Sequence, residues 1–235
     1  MRYADWMRLA ETEYARLLAL LRRLDDDQWQ APTDCAEWTV HQLVAHLLGA
    51  AESTASPRVL VHQLRLGRRE RAGGPLVDGI NAVQVREREG RTPAQLLAEL
   101  ERAAGKGVRA RRRLPAPVRA VRLPLGEPLG VRPLGYLMGC IYTRDAWQHR
   151  ADISRAVAQP MELTADHDGL VVADIVSEWL AIHRQPCRLT LTGPAGGQWV
   201  QGERGEMLEL DAVEFCRIVS GRAPGTGLLA TPVPF

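Results

Sequence analysis

The stretch Thr39-Val-His-Gln-Leu-Val-Ala-His-Leu-Leu48 decides how the N-terminal half is read. Thr39 can accept a hydrogen bond from the free amides of a first helical turn. Gln42, three residues on, can return one, which is the capping-box pattern of a helix start. Val40, Leu43, Val44, Leu47 and Leu48 then recur at helical spacing and face a core. His46 lies inside that apolar stripe. A histidine projecting inward needs a partner, because an unpaired buried polar group is costly.

The stretch Arg144-Asp-Ala-Trp-Gln-His149 supplies partners. Asp145 and His149 are four residues apart, so on a helix they share one face, about one turn apart. If the two helices are neighbours in a bundle, two imidazoles and one carboxylate converge, as bundle metal sites do. Such a set suits Zn²⁺ first, with Ni²⁺, Fe²⁺ and Co²⁺ as alternatives. Three protein ligands leave coordination positions for water, a thiolate or substrate, which is the catalytic arrangement. On spacing alone a second interpretation stays open: a hydrogen-bonded core histidine and a simple surface pair.

Working outward, a first helix is predicted over about Tyr3–Leu24, with Trp6, Met7, Ala10, Tyr14, Leu17, Leu18 and Leu21 as its stripe. The helix opened by Thr39 is expected to continue to near Leu66. Gly67, Gly73, Gly74 and Pro75 mark a loop, and a third helical stretch from Leu76 is interrupted at Gly90. Thr92, Pro93 and Gln95 restart a helix. Leu114–Pro133 holds five prolines and two glycines and reads as a long connection, a kind of segment that often carries function. A fourth helix is predicted from near Pro133 through Ala156. Beyond Pro160 the pattern changes. A helix over about Asp166–His183 precedes short strands at Arg188–Thr192, Gln198–Val200 and Met207–Leu210. Asp211 and Glu214 then cap a short helix carrying Val213, Phe215, Ile218 and Val219. The chain is therefore read as mainly α plus α+β: a helical bundle over residues 1–160 and a small α+β domain over residues 161–235.

The bulk properties narrow the function classes. Apolar residues make up 46% of the 235, enough for a packed core, and the net charge of +2 lacks the basic excess of a nucleic-acid binder. Cys35, Cys140, Cys187 and Cys216 form no C-x-x-C pair, so neither a zinc knuckle nor a thioredoxin-like site is supported. Met1–Leu21 is charged every few residues and does not read as a secretory signal. No stretch approaches the ~20 apolar residues that span a bilayer. A cytoplasmic protein with reduced thiols and no membrane partner is the expectation.

Longer matches carry a family resemblance. Asp27-Gln-Trp-Gln-Ala-Pro-Thr-Asp-Cys-Ala-Glu-Trp-Thr-Val40 is followed by Leu43-Val-Ala-His-Leu-Leu-Gly49. Arg144-Asp-Ala-Trp-Gln-His-Arg-Ala-Asp-Ile153 and Phe215-Cys-Arg-Ile-Val-Ser-Gly-Arg222 come later in the same order, before a closing Val233-Pro-Phe235. Together they resemble the mycothiol-dependent maleylpyruvate isomerase family across essentially the whole chain. The resemblance implies a DinB-like four-helix bundle with a small sterol-carrier-like C-terminal domain. It implies a divalent metal on His46, Asp145 and His149, the residues singled out by spacing. It also implies mycothiol as thiol cosubstrate and a small electrophilic substrate, with the chain a monomer or homodimer. Arg222 matches an arginine that the family can present to the active site, which makes it the candidate catalytic residue. The best-known isomerase has glutamate where this chain has Asp145, which bears on the substrate more than on the metal.

The activity so implied is an isomerase or an S-transferase. A thiol with a pKa near ~8.5 is mostly unreactive at neutral pH, and binding to a divalent cation deprotonates it. The alternative function is a non-catalytic module that binds a metal or an apolar ligand. Other residues are assigned lesser roles: His41 solvated or capping, Cys140 and Trp147 in the core, Cys35 a half-buried loop thiol, and Arg150 with Asp152 bracing the ligands. The basic run Arg109–Arg113 reads as a solvated helix end whose charges complement the dipole.

Overall fold

The computed structural model describes residues 1–35, 38–126 and 129–235. Two compact units divide the chain, Arg2–Pro160 and Met161–Phe235.

In the first unit, α1 (Tyr3–Leu21), a short α2 (Asp26–Trp29), α3 (Val40–Ala55), α4 (Pro57–Glu70), α5 (Leu76–Arg86) and α6 (Pro93–Arg112) follow in order. The two helices α3 and α6 start where side chains supply a cap. The Thr39 hydroxyl accepts from the Gln42 amide, while Gln42 Oε1 accepts from the Thr39 amide at 3.0 Å. Thr92 and Gln95 repeat the exchange, with Pro93 at the first position of α6. The four bundle helices are α1, α3, α6 and α9 (Tyr142–Ala156), with α3 against α6 and α1 against α9. Their shared core holds Leu17, Leu21, Leu43, Leu47, Leu96, Leu100 and Ile153, all essentially solvent-free. Close α3–α6 packing depends on Gly107. A Cβ there would sit 2.4 Å from Thr54 Oγ1 and 2.9 Å from the Ala51 carbonyl.

The helix opened by Thr39 does not reach Leu66. It ends at Ala55, and Ser56 caps a new helix with Pro57 at its first position. Proline lacks the N–H that a continuing helix needs, and it pushes the preceding residue toward extended backbone; Ser56 lies at φ −143°, ψ 114°. The Leu114–Pro133 connection also holds more structure than expected. It contains α7 (Ala116–Ala120) and an antiparallel pair, β1 (Arg122–Pro124) with β2 (Val131–Pro133). A single turn, α8 (Leu134–Tyr136), then a π-helical segment (Leu137–Ile141) lead into α9 (Tyr142–Ala156). The fourth predicted helix thus contains a π segment that sequence periodicity did not signal.

The second unit contains α10 (Asp168–His183), β3 (Cys187–Thr192), β4 (Gly197–Gln201), β5 (Glu206–Asp211) and α11 (Ala212–Val219). The sheet order is β4-β3-β5, with β3 antiparallel to β4 and parallel to β5. The alternating burial of β3 places Cys187, Leu189 and Leu191 on the covered face. Trp179 of α10 and Phe215 of α11 meet edge to face at 5.3 Å. Among the described residues, no helix is long and apolar enough to cross a membrane.

Candidate metal centre

His46 is on α3, and Asp145 and His149 are on α9 of the same unit. The bundle brings the three together. His46 Nε2 lies 3.6 Å from Asp145 Oδ2, and His149 Nε2 lies 3.3 Å from Asp145 Oδ1. One ligand atom from each residue lies within 4.8 Å of the other two. The imidazole rings meet edge to face at 5.2 Å, and Trp38 packs 5.1 Å from the His46 ring. Both histidine side chains are nearly solvent-free, whereas Asp145 keeps 24% of its side chain exposed. The carboxylate therefore marks the side on which the cluster opens.

Neighbouring acceptors settle which nitrogens face inward. Asp152, three residues beyond His149, has its Oδ2 3.0 Å from His149 Nδ1. A carboxylate only accepts, so Nδ1 carries the proton and Nε2 of the neutral ring has a free lone pair. His46 reaches the same state through a relay. The Gly49 carbonyl accepts from Gln63 Nε2 at 3.0 Å, which orients that amide. Gln63 Oε1 must then accept from Gln84 Nε2 at 2.8 Å, leaving Gln84 Oε1 to accept from His46 Nδ1 at 2.8 Å. Both imidazoles thus present a basic Nε2 beside one carboxylate, and metal-ligating histidines are held in this way.

Burial raises the Asp145 carboxyl, but the facing His149 and His46 outweigh it and hold the group well below the ordinary carboxylate range. Burial likewise disfavours the His149 cation, yet the Asp145 charge and the bonds to Asp145, Asp152 and Cys35 push His149 well above its usual value. The cluster thus favours a proton on His149.

A second group, Cys35, His149 and Asp152, is also close enough to share an ion. Its geometry is that of a hydrogen-bonded brace, because Asp152 holds the Nδ1 proton and receives the Cys35 thiol at 3.6 Å. His41 points elsewhere, with Nε2 donating to the Arg91 carbonyl at 2.8 Å. Cys140 and Trp147 are buried. Arg150 pairs with Glu13, Nε at 2.6 Å from Oε1 and Nη2 at 3.0 Å from Oε2. Arg222 follows α11 in the C-terminal unit, its amide donating to the Arg217 carbonyl. Arg111, the middle of the basic run, is only 2% exposed and departs from the solvated helix end expected there. Gln63 and Gln84 were not foreseen. Their one signal in the sequence was a glutamine between apolar residues, Val83-Gln-Val85.

Residues 10–154 match the family described as mycothiol maleylpyruvate isomerase N-terminal domain. The chain belongs to that family, which is one of enzymes. The family match spans α3 and α9 and all three clustered side chains. No curated protein matches the sequence. Two solved structures do. A crystal structure of the mycothiol-dependent maleylpyruvate isomerase is 14% identical, with a TM-score of 0.63 over 95% of this chain and 90% of that one. A histidine-to-alanine mutant of that isomerase gives the same figures. At that identity the likeness is one of fold.

Proposed function

We propose that this chain is a metal- and mycothiol-dependent enzyme acting on a small electrophilic substrate of the maleylpyruvate type, as an isomerase or an S-transferase. One observation carries the reading: two imidazole Nε2 atoms, each freed by an acceptor holding its Nδ1 proton, converge with the Asp145 carboxylate.

Two nitrogens and one oxygen fit Zn²⁺, with Ni²⁺, Fe²⁺ and Co²⁺ as alternatives. His46, Asp145 and His149 would hold the ion. When bound, a divalent ion would lower the pKa of a thiol into the neutral range. The chain's own residues do the rest. Gln84 and Asp152 fix the tautomers of the two histidines, and Trp38 covers the His46 ring. Asp145 faces the open side, where thiol and substrate would enter. Reversible addition of the thiol to a conjugated double bond would isomerise it, and irreversible addition would be S-transfer. Arg222 is carried here as the candidate arginine of the C-terminal unit for a substrate carboxylate.

The test is elemental analysis of the purified chain and of His46→Ala and His149→Ala, with mycothiol turnover of maleylpyruvate and of simple electrophiles. Metal loss and activity loss together are expected in both variants. Full metal content in both would remove the proposed centre. Metal binding without turnover of any substrate would leave a non-catalytic metal module.

A further inference from the structure

Arg111 lies near the C-terminal end of α6 and is a buried cation with no acid beside it. It is 2% exposed, and among the described residues no carboxylate contacts it. Its neighbours are tyrosines: Cζ lies 5.7 Å from the centre of the Tyr142 ring, and the Arg111 charge acts on the hydroxyls of Tyr3, Tyr14 and Tyr142. Among the described residues only Nη1 has an acceptor, the Met138 carbonyl of the π segment at 2.9 Å. Nε is fully buried without a partner.

An uncompensated buried charge is among the costliest features a core can hold, and burial lowers the Arg111 guanidinium from its ordinary value. The Nη1 edge is tied to the backbone, which leaves the edge formed by Nε and Nη2. That edge makes the two parallel bonds of an arginine–carboxylate fork. The site is also placed well. Tyr142 is three residues before Asp145 on α9, so the two side chains lie on neighbouring positions of one helix face. The hydroxyls of Tyr14 and Tyr142 feel both Arg111 and Asp145.

We propose that Arg111, with Tyr14 and Tyr142, anchors the carboxylate of an unsaturated organic acid beside the His46–Asp145–His149 cluster. The site rests on the thiol-dependent reading above and assigns to Arg111 the holding of an acid group of such a substrate. A bound carboxylate supplies the missing counter-charge and an acceptor for Nε, and the Tyr14 hydroxyl can donate to it; the Tyr142 ring packs against the guanidinium while its own hydroxyl donates to Ser53, whose proton goes to the Ala50 carbonyl.

The probe is maleate, a cis-dicarboxylate, titrated by calorimetry into the full chain as purified and into Arg111→Gln and Arg111→Lys, with metal content measured in each. Maleate affinity should fall at least about tenfold in both variants, because lysine keeps the charge but not the fork. Metal content should be unchanged. The melting temperature of Arg111→Gln should be no lower than that of the parent, since an unpaired buried charge has been removed. If the glutamine variant fails to fold, the lysine variant carries the same readings. Where turnover exists, KM for the acid should rise while that for dimethyl maleate stays put. Retained maleate affinity in the variants, no maleate binding by the parent, or equal losses for acid and ester would each overturn the assignment. Arg111-dependent maleate binding without turnover would sink the enzymatic reading and leave this site standing.

Discussion

The Nδ1 proton of His149 is held by Asp152 Oδ2 at 3.0 Å, one helical turn along α9, so a proposed ligand and its brace lie on one helix face. Asp152 is completely buried, and its other oxygen receives Gln148 Nε2 at 3.4 Å. The full negative charge behind the ring raises the basicity of Nε2. Asp152→Asn keeps the shape and loses that charge. Metal affinity should drop by about 10–100-fold, measured by competition with a chromogenic chelator. An unchanged affinity would mean that Asp152 only supports the helix.

Metal uptake should be coupled to proton release, with a sign fixed by the two shifted groups. His149 is raised in the ion-free fold, so the stability it contributes is full below its unfolded value of ~6.5 and is lost as pH climbs through the raised folded value. Asp145 is depressed, so its contribution is full above its unfolded value of ~3.9 and is lost as pH falls through the depressed folded one. The ion-free cluster therefore stabilises the fold most between ~4 and ~6.5. An ion needs the bare His149 Nε2 and displaces the proton. Apparent metal affinity should rise with pH past ~6.5, and calorimetry in buffers of different ionisation enthalpy should show a proton released. Affinity that is flat between pH 6 and 8 would contradict the assigned protonation.

The convergence of His46, Asp145 and His149 was legible because each signal is local. Four-residue spacing puts Asp145 and His149 on one face, and a lone histidine in the stripe Leu43–Leu48 points inward whatever surrounds it. The caps at Thr39 and Thr92 were legible for the same reason. The relay through Gln63 and Gln84 was not, since those residues come from α4 and α5 and acquire their role only when the helices pack. The break at Ser56-Pro57 had a local signal that the continuing apolar pattern outweighed. Arg111 was obscured by its neighbours, because a run of arginines reads as a solvated surface, and only tertiary packing buries the middle one.

The relay leaves little room at Gly49. A Cβ there would lie 2.5 Å from Gln84 Cγ and 2.7 Å from its Cβ. Gly49→Ala must push Gln84 aside and with it the acceptor of the His46 proton. Overpacking of this kind costs about 1–3 kcal/mol, read by urea denaturation. Metal affinity should fall as well, because His46 is then free to adopt the other tautomer. Gln84→Ala combined with Gly49→Ala removes the contact with Cγ but keeps the one with Cβ, and should recover part of the stability while leaving affinity low. Recovery of both would show that Gln84 fills space and does not orient the ligand.

The residue after His149 tests how far the centre depends on its surroundings. Arg150 grips both oxygens of Glu13, with Nε at 2.6 Å from Oε1 and Nη2 at 3.0 Å from Oε2, and both side chains are essentially solvent-free. The pair ties α9 to α1 directly beside a ligand. Desolvating two charges is expensive, and the fork offsets that only while both partners are present. Glu13→Gln removes the charge that faces the buried guanidinium across this fork and should cost about 3–5 kcal/mol in urea unfolding. Glu13→Leu with Arg150→Met removes both charges and should lie much closer to the parent, since an apolar pair of similar volume avoids the desolvation. The two measurements separate stability from function. If the double variant folds as well as the parent and still binds metal at full affinity, the bundle backbone alone positions His149. If it folds but binds weakly, the ion pair sets the register of α9 against α1.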